Sequence, residues 1–159
     1  GTAWQSDASG AKERLREGAF LKQGATVETA GNGNVILLFD NGSTMQVRPG
    51  TKFSISEFLV DPFDTGRVKL EGISKEPTKS RTQLFVREGT VTGDIAKLNR
   101  GSSYNISTPL ATAGIRGTTV TVEHSTNPPK STFTVTKGSI QVTKKGGATW
   151  VATGDEGEQ

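Results

Sequence analysis

A single histidine and scattered carboxylates are what this 159-residue chain offers to catalysis. An imidazole works as a base or metal ligand only with companions: a nucleophile or second ligand within reach, and an acid to orient it. His124 closes a strand beside "HSTNPPKS". Its neighbour Glu123 falls on the opposite face of an alternating strand, and the chain has no cysteine. The residue reads as a surface histidine. Asp61 and Asp64 in "DPFD" suggest paired carboxylates or a Ca²⁺ loop, but the regular oxygen spacing and closing Glu of an EF-hand are missing, and Asp-Pro opening a turn accounts for them. "GNGN" lacks the helix that would aim a dipole at a phosphate, and neither a P-loop nor a G-x-S-x-G elbow occurs. These residues predict no catalytic site, no cofactor and no metal.

Arg116 is the exception that asks for an explanation. In "STPLATAGIRGTTVTVEH" it stands between Gly114 and Gly117, just before Thr118, Val120 and Val122 begin to alternate with Thr119 and Thr121. The two glycines suggest backbone angles or close approaches closed to other residues. A guanidinium there carries five donors and keeps its charge. Flanked by small, apolar positions, it reads as a clamp that bonds free carbonyls of a neighbouring turn, and a carboxylate, to lock two layers.

Stepping along the chain, the elements that must position this stretch have period two from Ala19 onward. "VILLFD" and "TMQVR" flank Asn41-Gly42, a pair suited to a tight hairpin turn. The apolar run Val35–Phe39 predicts a strand covered on both faces, and "KFSISEF" points Phe53 and Ile55 inward. Three segments share one plan: strand, glycine (Gly42, Gly89, Gly138), strand, glycine turn (Gly50, Gly101, Gly146), strand. Such repetition suits stacked or wound β-layers, although strand–glycine–strand also occurs in any all-β chain. Residues 1–17 form an N-terminal segment in which Ser6 or Asp7 as cap, Ala8, Ala11 and Leu15 at helical spacing, and Gly18 as stop allow a short helix. Residues 59–83, with Pro62, Pro77 and mixed charges, read as an insertion carrying at most the edge strand "RVKLEG", and 125–131 as a second exposed loop. The acidic tail "GDEGEQ" reads as frayed.

Composition agrees with thin β-layers: 31% of residues are hydrophobic, 6% aromatic, and glycine is abundant. Net charge is +3, and the local excess of Lys130, Lys137, Lys144 and Lys145 lacks the interleaved aromatics of a nucleic-acid surface. No run approaches a membrane span of about 20 apolar residues. Contact with a membrane would therefore go through an anchor outside this chain, which begins at Gly1 as a trimmed fragment would.

The order of motifs carries a resemblance. "VILLFDNGSTMQVRPGTKFSI", then "LFVREGTVTGDIAKLNRGSSYNISTPLATAGIRGTTVTV", then "FTVTKGSIQVT" and "VATGDEGE" resemble the FecR domain, an extracytoplasmic β-domain of bacterial envelope regulators. Residues 18–157 carry the likeness. Thr108, Pro109, Ala113, Ile115, Arg116, Gly117 and Thr118, with Gly114 among them, match its most telling motif. The resemblance implies an all-β domain, a solenoid-like or sandwich stack of short antiparallel strands, at the periplasm or cell surface. It implies a non-enzymatic module for protein binding or ligand sensing in signalling, with another envelope protein as partner. The regulators' cytoplasmic anti-sigma segment, membrane helix and receptor-facing part are not visible here, and residues 59–83 depart from the pattern. Two other classes compete: a carbohydrate-binding module with Trp150, Tyr104 and Phe63 as platforms, and a structural spacer.

Overall fold

The computed structural model describes residues 1–7, 9–21, 23–39, 42–61 and 78–154. Phe63, Asp64, "RVKLEG", Asn41, the side chain of Trp150 and the tail from 155 lie outside the described residues. The described chain is all-β: β1 Ala3–Ser6, β2 Lys12–Arg14, β3 Thr26–Thr29, β4 Val35–Leu38, β5 Thr44–Val47, β6 Lys52–Val60, β7 Ser80–Ile95, β8 Ser103–Ser107, β9 Ala111–Ile115, β10 Thr118–Thr126, β11 Pro129–Lys144 and β12 Thr149–Gly154.

Two layers result. One runs β2-β1-β3-β6-β7-β8-β9-β11-β12 and the other β4-β5-β7-β10-β11. Strands β7 and β11 belong to both, because each bends from one layer into the other. The first half of β7 pairs β6 and β8, and its second half pairs β5 and β10. β11 does the converse, pairing β10 and then β9 and β12. The pairings β7-β8-β9-β11-β10-β7 thus close on themselves, while the first half of β11 pairs β10 alone among the described strands and forms the edge of the second layer.

The bends fall at Gly89 and Gly138, with φ of 96° and 88°. Here glycine is required: a Cβ at Gly89 would lie 2.5 Å from the Cα of Thr51, and one at Gly138 would lie 3.1 Å from the carbonyl oxygen of Gly117. The glycine plan read from the sequence is therefore present, with a change of meaning. Gly42 separates two strands, whereas Gly89 and Gly138 bend one strand each, so the three segments take different routes through the layers rather than stacking as equal coils.

Alternation builds the core between the layers. Val27, Phe53, Leu84, Val86, Ile106, Ala113, Ile140 and Val142 of one layer meet Met45, Val47, Val91, Val120, Val122 and Val135 of the other in one buried cluster. Each of these side chains larger than alanine contributes about 1.5–3 kcal/mol of hydrophobic stabilisation.

Five expectations change. The N-terminal helix is absent: β1 and β2 form a hairpin, with Trp4 opposite Arg14 and Ser6 opposite Lys12. Asp7 does cap, but it caps a turn, accepting from the amides of Ser9 (2.9 Å) and Ala11 (3.2 Å), while Gly10 at φ 86° turns the chain back. Pairing with β3 rewards the hairpin, and two alanines and a leucine are too thin a face to reward a helix. The run Val35–Phe39 is not covered on both sides, since Ile36 is 71% and Leu38 45% exposed. The supposed loop 125–131 is the tip of a hairpin in which Ser125 pairs with Lys130 and Thr126 with Pro129. Both ends of the supposed insertion are strand, Leu59 pairing with Arg81 and Val60 with Ser80. Not all neighbours are antiparallel either. β7 and β8 are parallel, because β7 ends in the far layer and residues 96–102 carry the chain back across.

Candidate functional site

The stretch that drew attention becomes one strand, β9, with a fastening at each end. Alternation turns Ala111, Ala113 and Ile115 into the core and Thr112 and Gly114 outward. At the C-terminal end, Arg116 donates from Nη1 to the carbonyl of Ser102 (2.6 Å) and from Nη2 to the carbonyl of Asn99 (2.8 Å). Those carbonyls begin and end the turn that the Ser102 amide closes on Asn99 (3.1 Å), and the Leu98 amide donates to the carbonyl of Arg116 (3.1 Å). The expected clamp on a neighbouring turn is present. The expected carboxylate is not: among the described residues none pairs with this guanidinium, which stays exposed to water.

Gly117 is what lets the turn come so near. Its φ is 136°, and a Cβ there would lie 2.9 Å from the Cα of Lys97. Gly114 differs. It has no left-handed backbone, and a Cβ would meet Asn105 Oδ1 at 3.5 Å and the Gln141 carbonyl oxygen at 3.8 Å, ordinary contacts. The reading that both glycines are demanded by the fold holds for Gly117 and fails for Gly114.

At the N-terminal end the fastening is a chain of three side chains, two of them buried. Thr108 and Pro109 open the turn into β9, and Thr108 Oγ1 accepts from the amides of Leu110 (3.1 Å) and Ala111 (3.3 Å). The Thr108 hydroxyl is also hydrogen-bonded to Ser131 Oγ at 2.6 Å, and Ser131 Oγ to His124 Nδ1 at 2.8 Å. The chain of three side chains ties the β8–β9 turn of one layer to the β10–β11 hairpin of the other. Thr118, the last residue of the motif, is buried at the start of β10 beside the Gly138 bend.

His124 is therefore not a surface residue; it is 3% exposed. The signal was in its spacing, for Val120, Val122 and His124 share the inward face of β10. A histidine bonded to a serine invites a nucleophile reading, yet Ser131 is held by Thr108 and no carboxylate among the described residues bonds the ring. No cluster of three or more potential metal ligands occurs among the described residues. Asp61 is exposed at the end of β6, its amide donating to the Lys79 carbonyl (2.9 Å). Tyr104 is no platform for a sugar: it is 1% exposed and part of the core, its hydroxyl without a partner, as is that of Thr82 opposite it. Burial alone pushes its phenol far above the ordinary range.

Charge elsewhere is dispersed. Lys130 and Lys137 lie on the half of β11 that pairs β10, and Lys144 and Lys145 at the other end, all exposed. On the outer face of the first layer, Glu28 bridges Lys12 (2.7 Å) and Lys52 (3.0 Å), and hydrogen bonds to both ammonium groups hold its carboxyl below the ordinary value. No helix of the described residues is long and apolar enough to cross a membrane.

Comparison with known proteins follows the same stretch. A family model described as "FecR protein" matches residues 25–141. No curated protein sequence matches the chain. Two crystal structures of a "putative anti-sigma factor" from Parabacteroides distasonis ATCC 8503 share the fold, with TM-scores of 0.58 and 0.56 at 12% identity. In both, 81% of this chain is covered and only 51% of the other, so the chain spans about half the length of the protein it resembles.

Proposed function

Taking as premise that the chain belongs to the FecR family, we propose that it is a non-catalytic, extracytoplasmic module of a bacterial envelope signalling protein, working by contact with another protein. The observation that carries the reading is the fate of its most reactive-looking groups. Arg116 is tied to two main-chain carbonyls and His124 ends a closed hydroxyl chain, so both serve the strand between them. The likeness to the longer anti-sigma-type structure supports a role in a larger regulator, of which this domain is one part.

The test is made in the source bacterium with the full-length gene product. The domain is expected to be reached by an impermeant label from outside the cytoplasm. Deleting residues 18–157 is expected to change the output of a transcriptional reporter for the linked signalling pathway. A cytoplasmic location, or an unchanged reporter with a stable shortened protein, contradicts the reading.

A further inference from the structure

Gly114 is a glycine that the fold does not need. An alanine would fit its space, and a glycine inside a strand is less stable there than alanine. What the missing side chain does is keep a furrow open on the outer face of β8, β9 and β11, a depression of about 280 Å³. Asn105 and Gln141, the register partners of Gly114 on either side, wall it with amides. Ser103, Arg116 and Ser139 close one end.

The clamp fixes this arginine without exhausting it. Two of five guanidinium donors go to Ser102 and Asn99, and the exposed remainder is presented by a head group whose orientation is already settled. None of the residues lining the furrow is acidic. Arg81, beside Ser103 in the next strand and 66% exposed, adds positive charge, its own acid Glu57 standing off at 3.8 Å. Arg100 lies in the turn that Arg116 holds.

We propose that this furrow is the docking surface for an acidic segment of a partner protein: one carboxylate engages Arg116, and neighbouring polar groups lie against Asn105 and Gln141 over the bare backbone of Gly114. The proposal rests on the interaction-module reading and gives that module its contact surface. A protein segment is favoured over a sugar because no aromatic ring besides Tyr104, whose side chain is in the core, belongs to the lining.

The test is an amide NMR titration of the 159-residue chain at physiological salt with a short, end-blocked peptide of alternating Glu and Ser. Its Gln-for-Glu counterpart and an oligogalacturonate serve as the other probes. The Glu peptide is expected to shift Asn105, Gly114, Gln141 and the Arg116 side chain, and Gly114→Val, which fills the furrow, to weaken it about ten-fold at unchanged fold. The Gln peptide is expected to bind about ten-fold more weakly. Gly114→Ala is expected to raise the melting temperature. Equal affinity in Gly114→Val, shifts scattered over exposed lysines, tighter binding of the oligogalacturonate at these residues, or a Gly114→Ala protein that melts lower would each overturn the assignment. Binding of the acidic peptide elsewhere would remove the furrow and leave the interaction module standing.

Discussion

The two ends of β9 solve one problem with opposite chemistry. At the Thr108 end, three side chains are hydrogen-bonded in a largely buried line, and the groups that link them are engaged inside the molecule. At the Arg116 end, one charged group at the surface holds two carbonyls and keeps donors in reserve. A buried chain can only hold, because any group it loses is left unsatisfied away from water. A charged clamp at the surface can hold and still recognise, because water covers whatever it leaves unpaired. The same strand thus has one end closed inside the molecule and one end whose guanidinium stays open to solvent.

The contrast can be broken by substitution. His124→Ala should have the largest effect, a loss of about 3 kcal/mol in urea unfolding, since it opens a cavity and strands the Ser131 and Thr108 hydroxyls. Arg116→Ala should cost less, about 1–2 kcal/mol, because the side chain is exposed and its removal opens no cavity in the core. Arg116→Lys should recover under half of that, a single ammonium being unable to span both acceptors. If the two alanine variants lose the same stability, the distinction between a buried and a surface fastening falls. Between the two ends, Tyr104→Phe removes a buried hydroxyl without a partner and should stabilise by about 1 kcal/mol, measured in the same assay.

The smallest effect belongs to a surface pair that fastens nothing. Glu28→Gln should cost no more than about 0.5 kcal/mol at neutral pH, given the exposure of the three side chains. Because the folded-state pKa of Glu28 is depressed, its contribution is complete above the ordinary carboxylate value of 4.5 and fades as pH falls through the folded value. The stabilities of variant and parent should therefore converge in acid. Convergence at alkaline pH instead would assign the effect to another group.

Much of this was legible in the residues. Period-two alternation identified the inward faces of β5, β6 and β10, and Arg116 beside a glycine at a strand entrance announced a clamp to a turn. What was hidden depended on which layer lies above a residue. His124 looked exposed because the sequence shows no companion for it, yet Pro129 starts a strand whose Ser131 bonds the ring. Val35–Phe39 looked doubly covered because apolar runs commonly are, but β4 pairs only β5 among the described strands and leaves Ile36 outward. Gly89 and Gly138 looked like turns because a glycine between strands reads alike whether the chain reverses or bends between layers. The short N-terminal pattern fitted a helix locally, and a partner strand far along the chain decided otherwise.

Amide hydrogen exchange in Arg116→Gln tests the account most directly. If the guanidinium holds the Asn99–Ser102 turn against β9, protection of the Ser102 and Leu98 amides should fall by about ten-fold or more, while Val120 and Val122 in β10 keep theirs. Unchanged protection at Ser102 and Leu98 would show that the turn stands without the arginine, and the clamp at this end of β9 would be contradicted.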